Sequence, residues 1–299
     1  MMEESCIVCR GSAHRKYHTK KSFDVWECTL CGLLRLWPLP MPEDLERCYG
    51  AGYFTGDASC DGYMDYDFEK EVMRRTMEHH LDMIERHVPR GSLFEVGAAT
   101  GYFLSLAQVR GWHVAGVDIS AYAASKAAAK GLPIRQGGTE VLAHSDARYD
   151  AIVLFDVIEH FLYPTEDVRR MVNALRLGGV LVFATPNRGS MFARLMGRYW
   201  HAIVPPQHVF LFSDHHLEDF LGRFGLEVVT VESTGKWFTV QYLFRVLYTW
   251  LGWRPLYTLA ESVANTRLGR LSFPLNLRDT MFVVARKRPL ANTENAVVP

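Results

Sequence analysis

From Ser92 onward the chain alternates short apolar runs with amphipathic stretches, and this alternation restricts the possible fold more than any other feature of the sequence. Leu93–Val96 reads as a strand, and 102–109 as a helix stopped by Gly111. A second strand is expected at 112–117. Ser120 then caps an alanine-rich helix over 121–130, which Gly131 closes. A third strand fits 133–136. The nearly continuous apolar run 151–157 suits a strand buried on both faces. A helix over 165–176 follows, and Gly178-Gly179 should turn the chain into a strand at 180–184. Ser213 caps another helix with Leu217, Phe220, Leu221 and Phe224 inward, and 226–231 and 280–285 supply the last two strands. The pattern predicts an α/β fold with a doubly wound, mainly parallel seven-stranded sheet. Such sheets bind ligands beyond the C-terminal ends of their strands. The chemistry should therefore follow Val96, Val117 and Val157.

The flanks divide as follows. Residues 1–40 carry paired cysteines and end in a proline-rich stretch that reads as a linker. Residues 41–90 read as a linker and helical lid, with Met73, Met77, Leu81, Ile84 and Val88 on one face of a helix over 68–88. The sheet domain takes 91–235 and 276–290. Residues 236–275 form a helical insertion over the acceptor site, and 291–299 have little to bury and should be disordered.

At the first strand end stands Glu95-Val96-Gly97-Ala98-Ala99-Thr100-Gly101-Tyr102. Glycines there allow a tight turn and a close approach of backbone to ligand, with helix N-terminal N–H groups facing the same place. Asp118 ends the second strand, 21 residues after Gly97. A carboxylate there can accept the ribose hydroxyls of an adenosine. A dinucleotide fingerprint would need glycines at 97, 99 and 102, but those positions hold Gly97, Ala99 and Tyr102. The loop also lacks a basic residue to neutralise a pyrophosphate, so a cofactor without phosphates fits better than a nicotinamide dinucleotide.

These residues, with Gly116-Val117-Asp118-Ile119-Ser120, Phe155-Asp156-Val157-Ile158-Glu159-His160, Leu177-Gly178-Gly179 and Thr185-Pro186-Asn187, resemble the class I S-adenosylmethionine-dependent methyltransferases. Within them the chain is similar to the branch that carries an N-terminal zinc ribbon. The resemblance implies that Glu95, Gly97 and Gly101, with Ala98 and Thr100 of the same loop, cradle the methionine portion of the cofactor. It places Asp118 and Ile119 at the ribose and adenine, Thr139 in the adenine loop and Phe155 beside the cofactor. Tyr66, with Tyr63, falls in a segment that in such enzymes folds over the cofactor, where an aromatic face can stabilise a sulfonium charge. The sequence departs from the family at Ala99, usually glycine, and at Gln136-Gly137-Gly138-Thr139, which lacks the usual acidic residue.

Cys6-x2-Cys9 and Cys28-x2-Cys31, eighteen residues apart, have the spacing of a four-thiolate structural zinc site. Cys48 and Cys60 show no pairing pattern and are expected to be thiols. The loop between the pairs holds Arg10, Arg15, Lys16, Lys20 and Lys21, either a solvated hairpin or a docking face for an anionic acceptor.

Methyl transfer from a sulfonium is an in-line displacement, and the protein must align the acceptor and take its proton where one is lost. His208, in Val204-Pro205-Pro206-Gln207-His208, lies on the expected catalytic rim, and His160 follows the fourth strand. Both are candidate bases, with Tyr199, Trp200 and His201 as candidate pocket lining. Thirty-three Lys+Arg balance thirty-three Asp+Glu, so no global charge draws the chain to nucleic acid. A small-molecule acceptor is expected: a nucleotide-linked sugar, a glycan precursor or a natural product. The alternatives are a zinc-ribbon RNA-binding protein with a non-catalytic cofactor domain, and a nucleotide-sugar oxidoreductase. The start lacks an apolar run, and no stretch reaches the ~20 apolar residues of a spanning helix, so a cytoplasmic protein is expected, with peripheral membrane contact through 237–253 open. The oligomeric state cannot be read.

Overall fold

The cysteine pairs bracket an antiparallel meander of β1 (His14–Lys20), β2 (Phe23–Cys28) and β3 (Leu34–Leu36). The computed structural model describes residues 5–55, 73–143, 146–264, 266–269 and 271–289. Each cysteine pair sits in a tight turn of the same design. Cys6 N–H donates to Gly11 O and Arg10 N–H to Cys6 O, while Cys28 N–H donates to Leu33 O and Gly32 N–H to Cys28 O. The residue after each second cysteine is left-handed, Arg10 at φ 61° and Gly32 at φ 84°.

The strand–helix alternation folds as the apolar pattern dictates. Parallel strands β4 (Ser92–Val96), β5 (His113–Asp118), β6 (Ile134–Gln136), β7 (Tyr149–Phe155) and β8 (Leu175–Pro186) form the centre of the sheet. A two-residue strand β9 (Phe210–Leu211) follows outside it. β10 (Leu226–Ser233) pairs antiparallel with β13 (Thr280–Lys287), which pairs antiparallel with β8. The seven-stranded order is β10-β13-β8-β7-β4-β5-β6, and it reverses direction between β4 and β7. β7 is buried over Ala151–Leu154 because both faces of the sheet are covered. One layer uses the helices Pro164–Ala174 and Asp214–Gly222, and the other uses Arg74–His87 and Tyr102–Val109.

Several boundaries differ from the sequence reading, each for a local reason. The fourth strand ends at Phe155 rather than Val157, because Asp156 turns left-handed at φ 54°. Gly178 and Gly179 lie inside β8, in the irregular stretch between its pairs Tyr149↔Leu175 and Ala151↔Val180, rather than before it. A side chain at Gly179 would lie 3.0–3.2 Å from three carbonyl oxygens. The insertion is not wholly helical: β11 (Lys236–Thr239) and β12 (Ser272–Leu275) pair across its base, and between them run the helices Val240–Leu251 and Arg254–Val263. The helix Arg74–His87 packs into the core with Leu81 and Ile84 fully buried. Cys48, expected as a thiol, is disulfide-bonded.

The meander is joined to the sheet domain by main-chain bonds. β9 pairs antiparallel with β3, giving a four-stranded sheet β1-β2-β3-β9. Cys6, Val8, Cys28 and Leu33 share a core with Phe210, Phe212, Leu217 and Phe220. No helix among the described residues is long and apolar enough to cross a membrane. Residues 63, 66 and 291–299, expected above as lid tyrosines and a loose tail, lie outside the described residues.

Candidate active site

Loops at the C-terminal ends of β4, β5 and β7 meet at the point where the strand order reverses. After β4, Gly97, Ala99 and Gly101 all have positive φ, at 74°, 47° and 80°. A Cβ at Gly97 would lie 2.5 Å from a Val157 methyl, and one at Gly101 2.3 Å from a Leu132 methyl, so a side chain at either would displace a neighbour and be strained by the backbone angle. Ala99 tolerates its angle at a cost of roughly 1–2 kcal/mol, at the position where the resembling proteins have glycine. Gly97 and Ala98 both donate their N–H to Val117 O at 2.9 Å, which seats the loop on β5. Ala98 and Thr100, between these positions, are buried. Glu95 is buried one residue before the strand end.

Asp118 organises this region. Its Oδ2 accepts Ala99 N–H at 2.7 Å and its Oδ1 accepts Ser120 N–H at 2.8 Å. One carboxylate thus pins the glycine loop to the turn after β5. Burial pushes its pKa above the ordinary carboxylate range, and the two N–H groups oppose that. Each oxygen retains a second lone pair for a hydroxyl donor. Beside it Ile119, half exposed, offers an apolar surface at the strand end. This pairing of a carboxylate with an open aliphatic side chain suits a ribose joined to a flat base, and the residues fit S-adenosylmethionine.

Not every expected residue faces the same place. Thr139 is buried, and its hydroxyl donates to Asp167 Oδ1 at 2.5 Å, tying its loop to the helix Pro164–Ala174. Phe155 stacks on His80 at 5.0 Å and meets Phe103 edge-on at 4.7 Å, closing the β7 end. Trp200 is fully buried and donates to Asp279, whereas Tyr199 is exposed.

The two candidate bases are adjacent. The His160 and His208 rings meet edge-to-face with centroids 4.8 Å apart. His208 Nδ1 lies 2.7 Å from Ala202 O. A carbonyl only accepts, so Nδ1 carries the proton and Nε2 the lone pair, as a base requires. His160 Nδ1 lies 2.8 Å from Gln207 O and 2.7 Å from the Tyr49 hydroxyl. Glu159, fully buried between them and the sheet, accepts the Thr185 hydroxyl at 2.9 Å. Donor atoms of Glu159, His160 and His208 lie within 4.8 Å of one another. Both rings are tied to protein carbonyls, so the group forms a hydrogen-bond network.

Burial drives the His160 pKa down to about 4, against the Gln207 carbonyl and the Asp156 charge. His160 is neutral in the folded protein above that pH, while an unfolded chain takes up a proton below about 6.5. The stability it contributes is therefore present above pH 6.5 and lost as pH falls through about 4. Between pH 7 and pH 4, wild type should lose roughly 3 kcal/mol more than His160→Asn in denaturant unfolding. Equal losses in the two proteins would contradict this.

Residues that the sequence reading missed complete the site. Tyr49 reaches His160, and Phe54 packs on Ala99 and Ala123, so the helices Pro42–Cys48 and Ala51–Thr55 bridge the rim from the histidines to the glycine loop. Only the aromatic content of this segment signalled it. His80, Asp156, Thr234 and Thr280 line a cavity of about 30 Å³ at the end of β7 and β8. Its polar lining comes from four distant segments and leaves no local pattern.

A glycine loop and a strand-end carboxylate at the reversal point of this sheet order fit the class I S-adenosylmethionine-dependent methyltransferase fold. A methyltransferase domain family matches residues 68–231, more than half of the 299-residue chain, and the chain belongs to that family. It is 30% identical over 123 residues to the ubiquinone biosynthesis O-methyltransferase of Alkalilimnicola ehrlichii, covering 38% of this chain and 50% of that one. It is also 30% identical over 129 residues to an S-adenosylmethionine-dependent methyltransferase candidate of Mycobacterium tuberculosis, covering 42% and 46%. The chain spans about half the length of these curated relatives. Among solved structures, a methyltransferase candidate of Bacillus halodurans shares the fold at 16% identity, with TM-score 0.53 over 72% of this chain and 100% of that one. An S-adenosylmethionine-dependent methyltransferase of Archaeoglobus fulgidus does so at 17% identity, with TM-score 0.50 over 74% and 99%.

Proposed function

We propose that this chain transfers a methyl group from S-adenosylmethionine to a small-molecule acceptor, such as a nucleotide-linked sugar, a glycan precursor or a natural product. The observation that carries the reading is the Asp118 carboxylate, bonded to the glycine loop on the same rim that bears His208. The cofactor supplies an electrophilic methyl on a sulfonium. Asp118 accepts the ribose hydroxyls through its second lone pairs, Ile119 flanks the adenine, and the backbone from Gly97 to Gly101 lies along the methionine portion. Tyr66, ahead of the described helix Arg74–His87, is proposed to add an aromatic face near the sulfonium, and Phe155 to close the floor. Thr139 is proposed to reach the adenine side through its backbone, since its hydroxyl is held by Asp167. His208 takes the acceptor's proton on Nε2. His160, neutral and held by Gln207, orients the His208 ring against it.

His208→Ala should keep cofactor binding and lower turnover by ~10²-fold or more, the usual contribution of a general base. Labelled-methyl transfer to a panel of hydroxylated acceptors, measured beside S-adenosylhomocysteine affinity, checks this. Undiminished turnover would remove His208 from the mechanism.

We further propose that Cys6, Cys9, Cys28 and Cys31 hold a structural zinc ion. Their sulfurs lie within 4.8 Å of one another, with Cys6–Cys31 at 3.6 Å and Cys9–Cys28 at 3.5 Å. Tetrahedral zinc with Zn–S bonds of about 2.3 Å needs separations of about 3.8 Å, so the set fits with little movement. Burial pushes the Cys6 and Cys31 thiols up, a cost that a bound cation would remove.

A further inference from the structure

Residues 202–211 carry the proposed base, and their ties run to the cysteine ribbon as well as to the sheet domain. Lys20 Nζ donates to Ile203 O at 2.6 Å. Leu36 N–H donates to Val209 O at 2.9 Å, and the ladder continues as Arg35↔Phe210 and Leu34↔Leu211. On its other side, Val209 N–H donates to Glu159 O at 2.7 Å. The His208 segment is thus a layer between the ribbon's edge strand and the Glu159–His160 turn.

The second cysteine turn is tied by a side chain to the helix cap that begins two residues after this layer. His216, buried in the first turn of the helix Asp214–Gly222, accepts Ser213 N–H on Nδ1 at 3.0 Å. That fixes the proton on Nε2, which donates to Cys31 O at 2.8 Å. The Ser213 hydroxyl accepts His216 N–H in return, completing a capping box with histidine where Glu or Gln is usual. A cap needs only an acceptor at this position. A donor aimed at the carbonyl of a cluster cysteine is an additional function, of the kind that fixes metal ligands from outside the coordination shell.

We propose that His216 is a positioning residue that couples the four-cysteine cluster to the His208 segment, so that order in the cluster sets the geometry of the acceptor site. Its catalytic consequence rests on the methyl-transfer reading above, whereas its structural consequence does not.

Two substitutions separate the roles. His216→Gln keeps an acceptor for Ser213 N–H and a donor for Cys31 O, while His216→Glu keeps the acceptor and loses the donor. Hydrogen exchange on the full chain should show the amides of 204–211 opening at least ~10-fold faster in His216→Glu, and within about 2-fold of wild type in His216→Gln. The His208 imidazole NMR signals should shift in the Glu variant alone. S-adenosylhomocysteine affinity should stay within about 2-fold in both variants, because the glycine loop and Asp118 lie outside the coupled layer. Turnover should fall ~10-fold in His216→Glu and be restored in His216→Gln. If His216→Glu does not fold, His216→Ala compared with Ser213→Ala makes the same separation: each removes a cap bond, and only the first cuts the Cys31 contact. Unchanged exchange over 204–211 with the Cys31 contact broken overturns the proposal, as does a Gln variant as loose as the Glu variant. Altered exchange with no methyl transfer in any protein, wild type included, would support the coupling and count against the function proposed for the site.

Discussion

Cys28→Ser is expected to lower the zinc content from about one ion per chain to below one tenth, and the melting temperature by roughly 8 °C. A structural zinc contributes on the order of 10 kcal/mol to the fold of a small metal-organised segment. Part of that loss should reach the whole chain, because Cys6 and Cys28 share a core with Phe210, Phe212 and Phe220. A loss of about 5 kcal/mol in a chain of this size corresponds to roughly 8 °C. Elemental analysis beside calorimetric melting checks both numbers. A metal-free wild type that melts where the purified protein does would remove zinc from the account.

Asp118→Ala should weaken S-adenosylhomocysteine binding by at least ~10²-fold. The substitution strips the Ala99 and Ser120 N–H groups of their acceptor inside the protein. Each buried donor left unpaired costs roughly 1–3 kcal/mol. It also removes the proposed acceptor of the ribose hydroxyls, and hydrogen bonds to charged groups contribute about 1.5–3 kcal/mol each. The loop and the ligand therefore both lose. Asp118→Asn keeps one acceptor oxygen and turns an amide toward the other N–H, so it should fall between wild type and alanine. Titration of folded protein at low temperature separates binding from stability. Wild-type affinity in Asp118→Ala would detach the carboxylate from the cofactor.

The parts of this site visible in the sequence are those in which neighbours along the chain do the work. Gly97 and Gly101 occupy left-handed positions, and Asp118 ends the strand beside them. Strand burial in β7 was visible because both of its faces are apolar. Its end was not, because the turn depends on Asp156 adopting a positive φ that aspartate does not announce. β9 has two residues, and its partners Leu34 and Arg35 lie far away in the chain, so no local periodicity marks it. Yet that pairing joins the cysteine meander to the His208 segment. Thr139 was expected in the adenine loop by resemblance, but Asp167 on the next helix holds its hydroxyl. His216 carried no local signal, since its contact with Cys31 spans 185 residues of sequence. The β11–β12 pair was hidden in the same way: its two strands flank two helices and pair only after those fold.

The central claim is that the loop at Gly97 and the carboxylate at Asp118 bind a sulfonium cofactor. Calorimetric titration of the full chain with S-adenosylhomocysteine and, separately, with NAD tests it most directly. The account predicts one S-adenosylhomocysteine bound per chain at micromolar concentration and no heat of binding from NAD. Saturable NAD binding with none for S-adenosylhomocysteine would contradict it.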